Sequence, residues 1–244
     1  MHKTALITGG ASKIGRELAK ALAKDGYDIV LHYNNSLTEA KKLQEEISGI
    51  GVKCKIIKAD LLNAKEVDHL VEEMKRIENW SVLINNASIF YQSNFLESDI
   101  EELEKNFTIH LKVPVLLSKA LAQNCTQNQL AGNIINMIDK NITRVETKYF
   151  HYLLSKKSLA EFTQMSALQL APNIRVNAIA PGFISNIDET DPDLEVKKLL
   201  TKIPLRKIAS EQDIVEGMRY LLNGNFVTGH ILFIDGGASL NHAG

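Results

Sequence analysis

Only two cysteines, Cys54 and Cys125, occur in 244 residues, and their separation rules out a C-x-x-C pair. That scarcity argues against a disulfide framework or a paired-thiol redox site, and each reads as a buried free thiol in a reducing cytoplasm. Charge of one sign is also missing: 28 basic and 29 acidic side chains leave a formal net charge of −1. Such a balance provides no electrostatic footing for nucleic acid or an anionic membrane surface. No apolar run is long enough to span a bilayer. Met1-His2-Lys3 enters a short apolar strand without the apolar core or cleavage pattern of a secretory signal, so a cytoplasmic location is expected. No proline- or serine-rich linker divides the chain, and no repeat is visible. His69, His230 and His242 lack ligand-like spacing, so no metal is expected.

What is present is an alternation. With 45% hydrophobic and 23% charged residues, the chain can bury a substantial core. Short apolar runs at Thr4–Thr8, Tyr27–His32, Val52–Lys58, Ser81–Ile84, Asn133–Met137, Ile174–Ile179 and Ile231–Ile234 read as strands. Amphipathic stretches between them read as helices, near Ile14–Lys24, Thr38–Ser48, Lys65–Glu78, Ile100–Gln123, Phe150–Leu170 and Asp213–Leu222. Strands alternating with helices imply crossover units, and so a doubly wound α/β fold with a parallel sheet, in one domain spanning residues 1–244. The stretch Pro181–Pro204 breaks this rhythm and contains an acidic run, Asp188 to Asp193. It would lie over the C-terminal edge of the sheet, where ligands bind in such folds, so residues 183–205 read as a substrate lid or else as an ordinary acidic loop.

Thr8-Gly9-Gly10-Ala11-Ser12-Lys13-Ile14-Gly15 lies between the first strand and the first helix. Glycines there permit a tight turn and close backbone approach to a pyrophosphate, and the helix N-terminus supplies N–H donors and partial positive charge. The second strand ends in His32-Tyr33-Asn34-Asn35-Ser36, with none of the acidic residues that bind a ribose hydroxyl in NAD-preferring folds. A carboxylate would repel a 2′-phosphate, whereas Lys13, Asn35 and Ser36 can bind one. NADPH is therefore the expected cofactor. Further on, Tyr152 and Lys156 are four positions apart on a predicted helix and share a face. An ammonium beside a phenol is expected to lower the phenol's pKa and tune it for proton donation. Lys157 points elsewhere, and Tyr149 has no lysine partner because position 153 is Leu.

Taken in order, Thr8-Gly9 with Gly15, Asp60-Leu61, Asn85-Asn86-Ala87, Tyr152-x-x-x-Lys156 and Pro181-Gly182 resemble the short-chain dehydrogenase/reductases over essentially the whole chain. The resemblance implies a Rossmann-type sheet of seven strands in the order 3-2-1-4-5-6-7, a nicotinamide cofactor and a homotetramer. It makes Tyr152 the acid and Lys156 its modulator and ribose anchor. It assigns cofactor contacts to Gly9, Lys13, Ile14, His32, Tyr33, Asn35, Ser36, Asp60, Leu61, Asn86, Ala87, Ser88, Pro181 and Gly182, together with Tyr152 and Lys156. Apolar positions on the later helices, such as Leu116, Leu117, Leu121, Leu154, Phe162 and Leu168, exceed what one sheet face can cover and suit a partner subunit.

Three departures narrow the resemblance. Lys13 stands where the middle glycine belongs; Asp139, thirteen residues before Tyr152, stands where the catalytic serine belongs; His110 replaces the usual helix asparagine. With Asn86-Ala87-Ser88-Ile89-Phe90, these features resemble the pteridine and dihydromonapterin reductases. That implies reduction of a dihydropterin (dihydrofolate among the candidates), with Ser88, Phe90, Asp139 and Tyr152 at the substrate and Phe90 stacking on the pterin. Phe90 reads equally as a core aromatic, and Asp139 as a strand-end cap. His110 reads as a structural bridge between backbone groups. The rival activities are reduction of a keto compound such as a 3-oxoacyl thioester, and non-catalytic NADP(H) binding.

Overall fold

Runs such as Thr4–Ile7 and Trp80–Asn85 are buried at every position, as strands covered on both faces must be. The computed structural model describes residues 2–93, 95–96, 99–145, 147–184 and 194–241, with backbone alone at 194 and 195. The strands are β1 (Thr4–Ile7), β2 (Asp28–Tyr33), β3 (Cys54–Lys58), β4 (Trp80–Asn85), β5 (Gly132–Met137), β6 (Ile174–Pro181) and β7 (Ile231–Ile234). All pair in parallel, in the order β3-β2-β1-β4-β5-β6-β7. The helices are α1 (Lys13–Lys24), α2 (Leu37–Ser48), α3 (Ala64–Lys75), α4 (Ile100–Phe107), α5 (Val113–Gln127), α6 (Phe150–Leu170), α7 (Leu194–Lys202) and α8 (Glu211–Asn223).

Successive strand residues point to opposite faces, and this divides the core in two. Ile7, Ile84 and Ile135 pack with Leu18, Leu22, Leu43 and Met218 from α1, α2 and α8. Their neighbours Leu6, Leu83 and Ile134 pack with Leu70, Leu117 and Leu121 from α3 and α5. Because every strand runs the same way, all the loops after their C-terminal ends gather along one edge. The glycine turn, the ends of β2 and β3, Asn86, Asp139 and Gly182 meet there.

Two elements depart from the sequence expectation. The long helix expected over Ile100–Gln123 is interrupted by a π turn, Thr108–Lys112, between α4 and α5. Pro114 near the start of α5 has no N–H, so an unbroken α-helix would leave the carbonyl of His110 without its donor. Within the stretch read as a lid, α7 forms, while the acidic run 188–193 lies outside the described residues. Among the described residues no helix is long and apolar enough to cross a membrane.

Candidate functional site

The glycine turn is fastened to β4 before any ligand is considered. Thr8 Oγ1 accepts from the N–H groups of Asn86 and Ala87 at 2.9 and 3.0 Å. The Asn86 amide donates back to the carbonyls of Thr8 and Gly9 at 2.9 and 3.1 Å. Gly9 has φ +62°, and a Cβ at Gly15 would fall 2.3 Å from the Gly9 carbonyl oxygen, so only glycine builds this turn. Ser12 caps α1 without a side-chain hydrogen bond, leaving the first-turn N–H groups without that acceptor. An anionic diphosphate fits such an end.

The sequence-assigned cofactor residues separate into two groups. His32 is buried, accepts from the Gly9 N–H at Nδ1 (3.0 Å) and donates from Nε2 to the Ala59 carbonyl (2.9 Å). Burial lowers its pKa, so the ring is neutral and both nitrogens are spent inside the protein. It braces the turn from within the protein. Tyr33 is likewise buried, against Ala11 and Ala40, and Leu61 packs in the core. Exposed at the same edge are Lys13 and Asn35, with Ile14, Ser36 and Asp60 partly so. Lys13 has φ +49°, so the backbone still demands the left-handed conformation that glycine would supply at this position. Holding lysine there costs about 1 kcal/mol or more.

Asp139, Tyr152 and Lys156 converge at the end of β5. Asp139 Oδ1 accepts the Asn141 N–H at 2.7 Å, capping a short 3₁₀ turn, and Oδ2 accepts the Tyr152 hydroxyl at 3.0 Å. Asp139 is thus a cap whose other oxygen also holds the Tyr152 hydroxyl. Tyr152 is buried, and burial first, Asp139 second, hold its pKa well above the ordinary phenol value. Lys156 is enclosed; its Nζ donates to the Met137 carbonyl at 2.7 Å and lies 5.7 Å from the Tyr152 ring centroid. Burial pushes the ammonium down to about 8, against an upward pull from Asp139. The expectation that Lys156 lowers the phenol's pKa is therefore corrected: Asp139 is the partner of the hydroxyl, and the phenol is kept protonated.

A cleft of about 660 Å³ opens beside this trio, lined among others by Phe90, Tyr149, Gly182 and Phe183. Gly182 must be glycine, since a Cβ would stand 2.7 Å from the Asp235 Cα. Phe90 is 56% exposed, which removes it from the core. Its ring stacks on Tyr149 (4.5 Å, 22°) and meets Tyr152 edge-on (4.8 Å, 83°). Tyr149, dismissed in the sequence for want of a lysine four residues on, is thus a cleft residue. Nothing in local spacing signals this, because the contact joins two distant loops. Ser88 is exposed, with its Oγ 2.9 Å from the Nε2 of His110.

Comparison with known proteins agrees with this architecture. The profile of the family described as Enoyl-(Acyl carrier protein) reductase matches residues 9–239. The 3-oxoacyl-[acyl-carrier-protein] reductase FabG of Staphylococcus aureus is 31% identical over 243 residues, covering 97% of this chain and 98% of the relative. The crystal structure of FolM Alternative dihydrofolate reductase 1 from Brucella canis, complexed with NADP, superposes with a TM-score of 0.88 at 30% identity, covering 98% of this chain and 94% of the other. Acetoin dehydrogenase from Enterobacter cloacae superposes with a TM-score of 0.89 at 25% identity, covering 99% and 98%. On sheet order, glycine turn, Tyr152–Lys156 pair and these likenesses alike, the chain belongs to the short-chain dehydrogenase/reductases, oxidoreductases that work with a nicotinamide cofactor.

Proposed function

We propose that this chain is an NADPH-dependent reductase of dihydropterins, with dihydrofolate within its substrate class. The observation that carries the reading is the Asp139–Tyr152 hydrogen bond under an exposed aromatic, Phe90. Gly9, Ile14 and the start of α1 hold the diphosphate, and Lys13, Asn35 and Ser36 take the 2′-phosphate. The cofactor supplies a hydride to the carbon of a C=N bond. Tyr152 supplies the proton to its nitrogen, and its raised pKa means that it arrives protonated. Asp139 retains a lone pair on each oxygen for the N–H donors of a pterin ring. Lys156 offsets the negative charge left on the pair.

The relatives named as 3-oxoacyl and acetoin enzymes keep a keto substrate as the second reading. Asp139 disfavours it, because a carboxylate faces a carbonyl oxygen with like charge. A non-catalytic NADP(H)-binding role is disfavoured by the intact Tyr152–Lys156 pair. The test is Asp139→Ser, assayed side by side with a dihydropterin and a simple ketoester. Catalytic efficiency with the dihydropterin is expected to fall about tenfold or more, on the order of 1.4 kcal/mol, while any ketone reduction falls less or rises. Unchanged pterin kinetics, or no pterin activity in the wild type, refutes the reading.

NADPH is expected to exceed NADH in catalytic efficiency by at least about tenfold, since residues 32–36 contain no acid and Lys13 is kept despite its backbone strain. Asn35→Asp should shift the preference toward NADH; equal efficiency with both cofactors in the wild type would contradict the assignment.

The chain assembles, in this reading, as a homotetramer through α5 and α6. Leu117 and Leu121 are consumed by the core, whereas Leu168 and Met165 are 83% and 66% exposed. An apolar groove of about 1210 Å³ runs between the two helices, lined by Val115, Ala122, Phe162 and Met165. Covering such a face is the usual reason for a symmetric interface. Light scattering at micromolar concentration should give four times the chain mass, and a monomeric mass would refute it.

A further inference from the structure

His110 occupies the π turn Thr108–Lys112 and is 1% exposed. Its hydrogen bonds define one protonation state. The Ile89 N–H donates to Nε2 at 3.3 Å, so Nε2 is an acceptor. The ring proton of a neutral imidazole is then on Nδ1, which donates to Ser155 Oγ at 2.8 Å. Ser155 Oγ in turn donates to the Tyr152 carbonyl at 2.7 Å. The Ser88 hydroxyl lies 2.9 Å from Nε2 and 3.3 Å from the Ile89 carbonyl, and shares its one proton between these two acceptors. The imidazole also stands edge-on to the Tyr152 ring, 5.4 Å between centroids.

One ring therefore holds two walls of the cleft. On one side it grips Ser88 and Ile89, immediately before Phe90. On the other it grips Ser155, and through it the backbone of Tyr152. We infer that His110 is a positioning residue: it ties the loop carrying Phe90 to the helix carrying Tyr152, and so sets where a substrate ring lies relative to the proton donor. The inference rests on the dihydropterin reading only in naming that ring. Asparagine, usual at this position in the family, reaches about as far as Nδ1, and glutamine about as far as Nε2. Neither spans both grips.

The ring is unsuited to carrying protons itself. Burial pushes its pKa to about 2, and the ammonium of Lys156 on α6 acts in the same direction. Beside it, Tyr152 is held protonated, so no group on α6 favours an imidazolium.

Two measurements test this. Nitrogen-15 NMR of the wild-type ring should find it neutral, with its proton on Nδ1, throughout about pH 5–8. Titration near the ordinary value of about 6.5, or a proton on Nε2, overturns the inference. This arm needs no substrate, so it stands apart from the pterin reading, which fails separately if the wild type turns over no dihydropterin. In steady-state kinetics, His110→Asn and His110→Gln should each raise the dihydropterin KM about ten- to a hundredfold. NADPH affinity should stay within about twofold, and the shape of the pH–kcat profile should not change. Unchanged KM in both variants, or loss of a pH limb at unchanged KM, overturns it.

Discussion

Tyr152→Phe is expected to lower dihydropterin turnover by about a hundred- to ten-thousandfold while leaving NADPH binding nearly intact. The substitution removes one oxygen and nothing else. That oxygen is the only atom of the ring bonded to Asp139, at 3.0 Å. The ring itself is buried, packed edge-on to Phe90 and His110, and remains in place. The cofactor turn is built by Thr8, Gly9, Asn86 and His32, none of which touches the hydroxyl. Loss should therefore appear in kcat, with the dissociation constant for NADPH unmoved. A variant keeping more than about a tenth of wild-type turnover would mean that another group supplies the proton.

Lys156→Met should nearly abolish turnover yet stabilise the unliganded protein at neutral pH. The ammonium is enclosed, with its pKa lowered from 10.5 to about 8 by burial. A shift of that size is a cost to the folded state on the order of 3 kcal/mol while the group is charged. The sign follows from the direction. A folded-state pKa below the unfolded one contributes stability above the unfolded value, and that stability is lost as pH falls through the folded one. Wild type should therefore gain on the variant as pH rises from about 8 to 10.5. The methionine removes the charge but also leaves the Met137 carbonyl without its donor. The net advantage at pH 7 should thus be smaller, about 1–2 kcal/mol. Urea unfolding of both proteins at pH 7 and near pH 10 reads this directly. A stability difference that does not change with pH would show that Lys156 is not desolvated as its surroundings imply. Turnover and NADPH affinity should both suffer, since the residue serves Tyr152 and is the expected ribose anchor.

Much of the molecule was legible in the order of its residues. Alternating apolar runs and amphipathic stretches specify parallel crossovers, because strand and helix periods differ and each must bury its own face. The helix Phe150–Leu170 and the strand Ile231–Ile234 form where their patterns place them. Gly9 and Gly15 are demanded by a turn that admits no Cβ. Tyr152 and Lys156 share a face because four residues make about one helical turn. Asp139 was legible through its place in the family pattern, thirteen residues before Tyr152, although a long connection with a 3₁₀ turn separates β5 from α6.

The tertiary structure decided the rest, and the reason is the same in each case. His32 reaches the turn 23 residues away and is spent there. His110 bonds to Ser155 across 45 residues, and only because a π turn aims it inward. Tyr149 finds Phe90 through a meeting of loops that neither spacing nor periodicity encodes. The direction of the Tyr152 pKa shift was set by burial and by which neighbour took the hydroxyl, and that neighbour was Asp139 rather than Lys156. Local spacing determines which residues lie on a common face. Burial and partnership depend on segments brought together by folding, and these are what fix the charge a group carries and the atom it can reach.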